Sequence, residues 1–277
     1  MKIWAYVTVW NEESMLPYYL RHYSNFCERI IVLDNESTDN TVSIAKEYPN
    51  VEVRTYSTEN TFNDYSNLDI KHKCIEEARG NADYVIISDC DEFIVHPNIK
   101  EFLANNSQYS IIYPAGFQMV SNSFPIKNGQ IYDEIKIGTP DPWYSKPILI
   151  NPNMVHEFSW IEGCHEISLD SKYKGSIMHP VTESIRPEGE WEGHPWGKWK
   201  MQFNILDSFN EFPIKLLHFK FLGEDYVNER YTQYANRNSI QNKMNGLAMH
   251  YEKSISNKSI PSEIKQLFEK SFNINLT

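Results

Sequence analysis

Two aspartates end an apolar segment in the sequence YVIISDCDEFIVHP, residues 84–97. Asp89 and Asp91 are two residues apart, so in a continuing strand their side chains share a face and can converge on one ion. Carboxylate oxygens suit Mg²⁺ or Mn²⁺, and Mg²⁺ commonly completes its coordination with phosphate oxygens and water. This D-x-D motif is therefore a candidate site for a metal-bound diphosphate. The structural alternative is a solvated strand end that caps the following segment.

A second polar cluster, DNESTDNT at residues 34–41, follows another short apolar segment. Asp34 ends that segment as an acidic residue does where a nucleotide-binding sheet contacts a ribose hydroxyl or a base edge. Ser37, Thr38 and Asp39 also have a structural interpretation as caps of the next helix. The first apolar segment is followed by WNEE rather than by a glycine-rich loop, which argues against a Rossmann dinucleotide enzyme or a P-loop NTPase.

The elements that position these clusters alternate between strand and helix over the first hundred residues. Apolar patterning predicts strands at 3–9, 29–33, 51–56 and 84–88, and helices at 16–26, 41–48 and 67–78. This order predicts an α/β fold with a mostly parallel sheet covered by helices on both faces. Ligands of such sheets bind beyond the carboxyl ends of the strands, so the polar clusters are expected to share one edge.

The second half of the chain has a different texture. Strands are predicted at 110–120 and 146–152, and helices at 200–209, 223–235 and 261–272. Irregular stretches rich in aromatic residues and proline, such as GTPDPWYSKP and EGEWEGHPWGKW, lie between them. Long irregular segments of this kind are typical of lids or binding loops.

Composition limits the partners. A net charge of −11 and a pI near 5.3 argue against a broad surface for nucleic acid or anionic membrane. The cysteines are scattered without a C-x-x-C motif, so neither a zinc site nor a disulfide framework is indicated: Cys27, Cys74, Cys90 and Cys164. With no signal-peptide pattern and no apolar stretch long enough for a membrane span, we expect a soluble cytoplasmic protein, with a membrane-bound acceptor left open.

Three motifs in order, VTVWNEE, VLDNESTDNT and YVIISDCDEF, resemble the nucleotide-sugar glycosyltransferases of the GT-A fold, chiefly glycosyltransferase family 2. The D-C-D-E-F form is more similar to the family 92 branch, as are KPILINP with GCHE and the later LLHFKFLGEDY. The resemblance implies a single GT-A domain over 1–277. It would comprise a nucleotide-sugar-binding half at 1–115, an aromatic-rich acceptor half at 116–240 and a helical tail at 241–277.

The resemblance also implies roles for individual residues. Glu12 and Asp34 would contact the uridine of a UDP-sugar donor, while Lys71 and Lys146 are candidate contacts of the diphosphate or donor. Asp89 would also bind the donor.

The resemblance implies a bound Mn²⁺ or Mg²⁺ ion. Asp89 and Asp91 would hold it together with the diphosphate, Asp91 more directly, and His218 is a candidate third ligand. A core histidine in an apolar strand is an equal alternative for His218.

Inverting sugar transfer needs a general base that takes the proton of the acceptor hydroxyl. The family usually supplies an acid from its second half, and the segment GCHEISLD offers Glu166, with His165 as competitor and Asp141 third. A purely structural role for His165 and Glu166 stays open.

We therefore expect a metal-dependent glycosyltransferase, inverting by family analogy, that transfers a sugar from a UDP-sugar to a saccharide acceptor in glycan or polysaccharide biosynthesis. The alternatives are a non-catalytic carbohydrate-binding protein and a sugar nucleotidylyltransferase. The latter normally has a glycine-rich loop after its first strand, where this chain has Trp10 to Glu13.

Overall fold

The computed structural model describes residues 1–126, 128–156, 158–161, 166–169, 176–180 and 209–276. Within these ranges the chain forms a seven-stranded sheet, a five-stranded sheet and a two-stranded hairpin, with helices packed around them. The architecture confirms the predicted α/β fold of GT-A type. His165 and the segment 181–208, which includes nearly all of the predicted helix at 200–209, lie outside the described residues.

The N-terminal half builds the parallel part of the larger sheet. Its strands lie side by side in the order β3-β2-β1-β4, and each neighbouring pair is parallel. The strands are almost free of charged residues along their buried lengths because helices cover both faces. The bounds are β1 Ile3–Val9, α1 Leu16–Tyr23, β2 Arg29–Asp34, α2 Thr41–Ala45, β3 Val51–Thr55, α3 Asp64–Ala78 and β4 Tyr84–Asp89.

The middle of the chain leaves this sheet and starts a second one. The bounds are β5 Glu92–Val95, α4 Ile99–Asn105, β6 Tyr109–Ile112, β7 Ala115–Ser121, α5 Ile131–Glu134, β8 Ile137–Pro140, a 3₁₀ turn Pro142–Tyr144 and β9 Leu149–Ile150. The single strand predicted at 110–120 is wrong: it is two strands, and β6 joins the larger sheet while β7 joins the smaller one. Pro114 lies at the break, where its missing N–H cannot continue a ladder of hydrogen bonds.

The remaining strands complete all three sheets. The hairpin consists of β10 Phe158–Ile161 and β11 Glu166–Leu169, and β12 Ser176–Met178 is the last strand of the larger sheet. The smaller sheet gains β13 Lys215–Leu222 and β14 Phe272–Asn273, and its strand order is β14-β8-β7-β13-β5. β13 runs parallel to β7 and antiparallel to β5, so His218 lies opposite both Gln118 and Glu92. A strand from late in the chain therefore lies directly beside the segment that follows the D-x-D motif.

The C-terminal part is helical, with α6 Glu224–Arg237, α7 Ile240–Met244, α8 Met249–Ser256 and α9 Ile260–Lys270. The helices predicted at 223–235 and 261–272 are confirmed as α6 and α9, whereas α7 and α8 were not predicted from sequence. Over the described residues, no helix combines the length and apolar character that a bilayer span requires.

Gly116 sets how closely the 3₁₀ turn approaches β7. A Cβ atom at this position would lie 2.3 Å from the carbonyl carbon of Tyr144 and 2.6 Å from the backbone nitrogen of Ser145. The Gly116 N–H also donates to Ser145 Oγ at 3.1 Å. Only glycine therefore allows the backbone of the turn to pack against the strand.

We expect Gly116→Ala to lower the free energy of unfolding by about 1–3 kcal/mol, because the new methyl group meets backbone atoms that cannot rotate away. Gly129→Ala is the matched control, since its Cβ would meet one side-chain oxygen, Asp133 Oδ2, at 3.1 Å and no backbone atom within 4 Å. Urea denaturation of both variants measures the difference. Equal stability of Gly116→Ala and the wild type would show that the turn does not depend on this close approach.

Candidate active site

A pocket with a cavity volume of about 480 Å³ opens at the carboxyl ends of β1, β2 and β4. Strand β13 and helices α6 and α8 form the facing wall. The charged residues that line it are five cations and four acids: Lys71, Lys146, Lys220, Arg230, Arg237, Glu12, Asp64, Asp89 and Asp91. In a chain of net charge −11, the described part of this pocket is not acidic.

Asp89 lies between two lysines. Lys71 Nζ donates to Asp89 Oδ1 at 2.9 Å, and Lys146 Nζ lies 3.5 Å from Oδ2. Burial alone would raise the pKa of Asp89, but the two ammonium groups outweigh it and hold that pKa well below its usual value. The structure thus brings three of the predicted site residues into contact, with Asp89 ionised and paired.

Glu92 fixes the turn that carries the D-x-D motif. Its side chain is 1% exposed, and Oε2 accepts a hydrogen bond from the backbone N–H of Asp89 at 3.0 Å. Lys146 Nζ lies 2.5 Å from the other oxygen. Burial raises the pKa of Glu92, and Lys146 opposes that rise. Glu92 is the third acid of the D-C-D-E sequence, and its contacts make it a support for Asp89 and Lys146.

Asp91 faces His218. His218 Nε2 lies 3.6 Å from Asp91 Oδ1, and Nδ1 is 2.5 Å from Gln118 Oε1, so Nδ1–H donates to the amide oxygen. The imidazole also stacks on Tyr144, with ring centroids 4.1 Å apart. Burial first, and then the charge of Lys146, holds the pKa of His218 well below its ordinary value. The histidine is therefore neutral at neutral pH, and with the proton on Nδ1 its Nε2 is the unprotonated nitrogen beside Asp91.

The Asp91–His218 pair is chemically suited to a divalent cation. It combines one carboxylate oxygen with one neutral imidazole nitrogen, and the hydrogen bond from Nδ1 to Gln118 is the arrangement that orients metal-ligating histidines. Among the described residues, no group of three or more His, Cys, Asp or Glu side chains is arranged to hold a metal ion. The described residues thus offer Asp91 and His218 as ligands, and phosphate oxygens and water could complete the coordination. The metal contact predicted for Asp89 stays a prediction.

Glu12 makes a buried ion pair with Arg230. Arg230 Nη1 donates to both carboxylate oxygens of Glu12, at 2.7 and 2.6 Å, and Nη2 lies 3.5 Å from Asp91 Oδ2. The side chains of Glu12 and Arg230 are 6% and 13% exposed. Burial raises the pKa of Glu12 to about 7, against the opposing effect of Arg230. These contacts make Glu12 a partner of Arg230, and the predicted uridine contact stays a prediction.

At the end of β2, Asn35 lines the pocket next to Asp34. The Asp34 side chain is 2% exposed and accepts a hydrogen bond from Ser37 N at 3.1 Å, as a local cap does. Asn35 accepts a hydrogen bond from the Arg237 guanidinium, which lies 3.7 Å from the ring centroid of Trp10. In the described structure the wall at this strand end is thus formed by Trp10, Asn35 and Arg237, and the nucleoside role of Asp34 stays a prediction.

Of the three candidate bases, the structure describes the side chain of Asp141. Asp141 caps the 3₁₀ turn by accepting from Trp143 N at 3.0 Å, and Trp143 and Tyr144 of that turn line the pocket. Burial raises the pKa of Asp141. Glu166 begins β11 in the hairpin, but its side chain is not described, and His165 lies outside the described residues. Their roles stay predictions.

Sequence reasoning missed the cationic face of α6 and β13. Arg230, Tyr234 and Arg237 recur at spacings of four and three residues, so they share one side of a helix, and all three line the pocket. The shared helix face is the signal by which the sequence could have placed these three side chains together. Lys220, two residues after His218 in β13, carried a similar signal.

The site and the sheet define the class of protein: a GT-A fold with a ligand pocket at the carboxyl edge of its parallel strands. The sequence model described as Glycosyl transferase family 2 matches residues 4–131. The match lies in the region whose motifs resemble glycosyltransferase family 2, so the expected fold and the resemblance to family 2 are confirmed. The match does not test the similarity to family 92.

Several solved structures share parts of the fold. TarS from S. aureus is 16% identical over 56% of this chain and 29% of its own, with a TM-score of 0.34. Glucosyl-3-phosphoglycerate synthase from Mycobacterium tuberculosis, solved with Mn²⁺, UDP and phosphoglyceric acid, is 19% identical over 42% of this chain and 43% of its own, with a TM-score of 0.29. This chain thus spans less than half of the length of TarS and of glucosyl-3-phosphoglycerate synthase. No curated protein matches the sequence significantly.

We expect Arg230→Met to lower the free energy of unfolding by about 3–5 kcal/mol, because it leaves the Glu12 carboxylate buried without its partner. Lys243→Met is the matched control. It also breaks an ion pair with a glutamate, Glu252, but the side chains of Lys243 and Glu252 are 44% and 32% exposed. The control should cost about 0–1 kcal/mol. Urea denaturation measures both.

A double variant separates the ion pair from the packing of Arg230. If the lost charge partner causes the effect, adding Glu12→Gln to Arg230→Met should recover part of the lost stability, because the uncompensated carboxylate is removed. No recovery would mean that the arginine acts through packing alone.

Proposed function

We propose that the protein is a metal-dependent glycosyltransferase that transfers a sugar from a UDP-sugar to a saccharide acceptor, with inversion at the anomeric carbon. One observation carries the proposal: in a family 2 domain, Asp91 and a neutral His218 face each other in a pocket that also contains Lys71 and Lys146. This arrangement suits a nucleoside diphosphate, because its negative charge can be neutralised by a divalent metal ion and by the two lysines.

The donor would lie along the strand ends. The uridine would occupy the side formed by Trp10, Asn35 and Arg237, where an aromatic ring and amide groups are available to a base. The diphosphate would lie towards Lys71 and Lys146, whose ammonium groups are already held in place by Asp89 and Glu92. In this arrangement Asp89 orients lysines for the donor.

Asp91 and His218 would hold the divalent cation. When bound, the ion supplies positive charge that stabilises the departing diphosphate. The chain contributes the orientation of both ligands: Gln118 and Tyr144 fix the imidazole, while Arg230 lies beside the Asp91 carboxylate. Arg230 also adds a positive charge close to where the leaving group would develop its negative charge.

The acceptor would enter beside the 3₁₀ turn. Trp143 and Tyr144 line that side of the pocket and supply flat surfaces that suit sugar rings. This supports acceptor recognition within 116–240, a range that also contributes Lys146, His218 and Arg237 to the proposed donor site. The proposal keeps 1–115 as the main donor-binding half and 241–277 as a helical tail within one domain. A saccharide or glycan acceptor, free or attached to a membrane lipid, follows from the same assignment.

The proposed donor site predicts a thermal shift that depends on both nucleotide and metal. UDP with Mn²⁺ should raise the melting temperature, because a ligand that binds only the native state stabilises it by RT ln(1 + [L]/Kd), about 2.7 kcal/mol at 100 times Kd. GDP, TDP and CMP should give smaller shifts. Asp91→Asn should abolish the Mn²⁺-dependent part, while Asp69→Asn, which alters a 64% exposed acid on α3, should not.

Each outcome of this titration has a definite meaning. If UDP raises the melting temperature equally with Mn²⁺ and with EDTA, the proposed metal dependence is wrong and the proposed UDP-sugar donor stands. The absence of a shift with any nucleotide would contradict the donor and favour a carbohydrate-binding protein.

The identity of the base is tested by comparing turnover of Asp141→Asn and Glu166→Gln. Loss of the general base should lower kcat by about 10²–10⁴-fold with little change in the Kd for UDP, because proton transfer from the acceptor does not contribute to donor binding. We expect this pattern in one of the two variants. Full turnover in both would contradict both assignments and leave His165, for which His165→Gln is the corresponding variant.

A further inference from the structure

Lys220 is a pocket residue with no role in the proposed transfer so far. It lies two residues beyond His218 in β13, and both residues line the pocket. The register of β13 against β7 shifts between His218 and Phe221, so the shared location of the two side chains follows from the pocket lining and not from strand alternation.

Aromatic rings surround the Lys220 ammonium group. Nζ lies 5.0 Å from the ring centroid of Tyr231, 5.2 Å from that of Tyr251 and 5.8 Å from that of Phe221. Tyr231 comes from α6 and Tyr251 from α8, and His250 lines the pocket beside them. The faces of the rings attract the cation but leave its three N–H donors without oxygen partners.

Lys220 differs in this respect from the other cations of the pocket. Lys71, Lys146 and Arg230 each have a carboxylate partner, and Arg237 donates to the Asn35 amide. Within the described residues, Lys220 has no carboxylate oxygen within 4.0 Å and no hydrogen bond. Lys220 is half-buried, and a cation that is partly removed from bulk water is stabilised by an oxygen partner. An anionic ligand in the pocket would complete the site.

We propose that Lys220 and its surrounding rings form an oxyanion subsite that binds a phosphate or carboxylate oxygen of a substrate. The subsite rests on the proposed function and deepens it, because it adds a recognition element for a charged group beyond Lys71 and Lys146. Two substrates could supply the oxyanion: the diphosphate of the donor, or an acidic group on the acceptor sugar. Tyr231 and Tyr251 flank the ammonium group and limit access to it from the sides.

Isothermal titration calorimetry in the presence of Mn²⁺ tests the subsite. The proteins are the wild type, Lys220→Met, Lys220→Arg and the control Lys253→Met, which removes an exposed lysine from the same helix that carries Tyr251. The probes form matched charged and neutral sets: UDP against uridine, and glucuronate and glucose 6-phosphate against glucose. Readout by binding separates the subsite from catalysis.

We expect Lys220→Met to weaken at least one charged probe by tenfold or more while the neutral probe of the same set changes less than threefold. Lys220→Arg should stay close to the wild type because it keeps the charge, and Lys253→Met should have no effect. A loss confined to UDP assigns the oxyanion to the donor diphosphate. A loss confined to glucuronate or glucose 6-phosphate assigns it to the acceptor.

Three results would overturn the subsite: unchanged affinity of Lys220→Met for all charged probes, equal weakening of charged and neutral probes, or no binding of any charged probe to the wild type. The proposed function fails separately. If the wild type does not bind UDP but binds an acidic sugar through Lys220, the UDP donor is wrong and the subsite stands. If UDP binds equally to wild type and Lys220→Met, and neither acidic sugar depends on Lys220, the donor stands and the subsite is wrong.

Discussion

The buried ion pair between Glu12 and Arg230 connects the beginning of the chain to its C-terminal helices. Glu12 follows β1, and Arg230 lies in the middle of α6, 218 residues later. A buried charge is strongly destabilising when its partner is missing. The requirement that Glu12 and Arg230 stay paired therefore restricts how α6 can pack on the edge of the sheet. Tyr231, Tyr234 and Arg237 lie on the same helix and line the pocket, so the ion pair that fixes the helix also fixes their positions.

The same principle organises the rest of the pocket. Five lysines and arginines line this edge of the sheet, and three of them are held by carboxylates: Asp89 holds Lys71, Glu92 holds Lys146 and Glu12 holds Arg230. Such pairs keep cations in fixed positions before a ligand arrives, which avoids the cost of reorganising them on binding. In the proposed function, Asp89 and Glu92 would act on the ligand through the lysines that they orient, and Asp91 with His218 is the pair suited to a metal.

The approach of the 3₁₀ turn to β7 links the fold to this arrangement. Gly116 allows the turn to pack closely, and the turn carries Tyr144, which stacks on His218, and leads into Lys146. Packing of backbone on backbone thus decides where a charged group and an aromatic ring lie in the pocket. Burial of His218 under Tyr144 keeps its imidazole neutral, as a ligating histidine must be.

The sequence alone determined the parallel sheet and the edge at which the pocket opens. Local apolar periodicity shows the alternation of strand and helix, and parallel strands share one carboxyl edge. It placed Asp89, Asp91 and His218 in one site through motif resemblance. It did not predict the break at Pro114 or the pairing of Glu12 with Arg230. Those depend on which distant elements pack together: an ion pair across 218 residues has no local periodicity, and only the tertiary structure decides which charge each buried group meets.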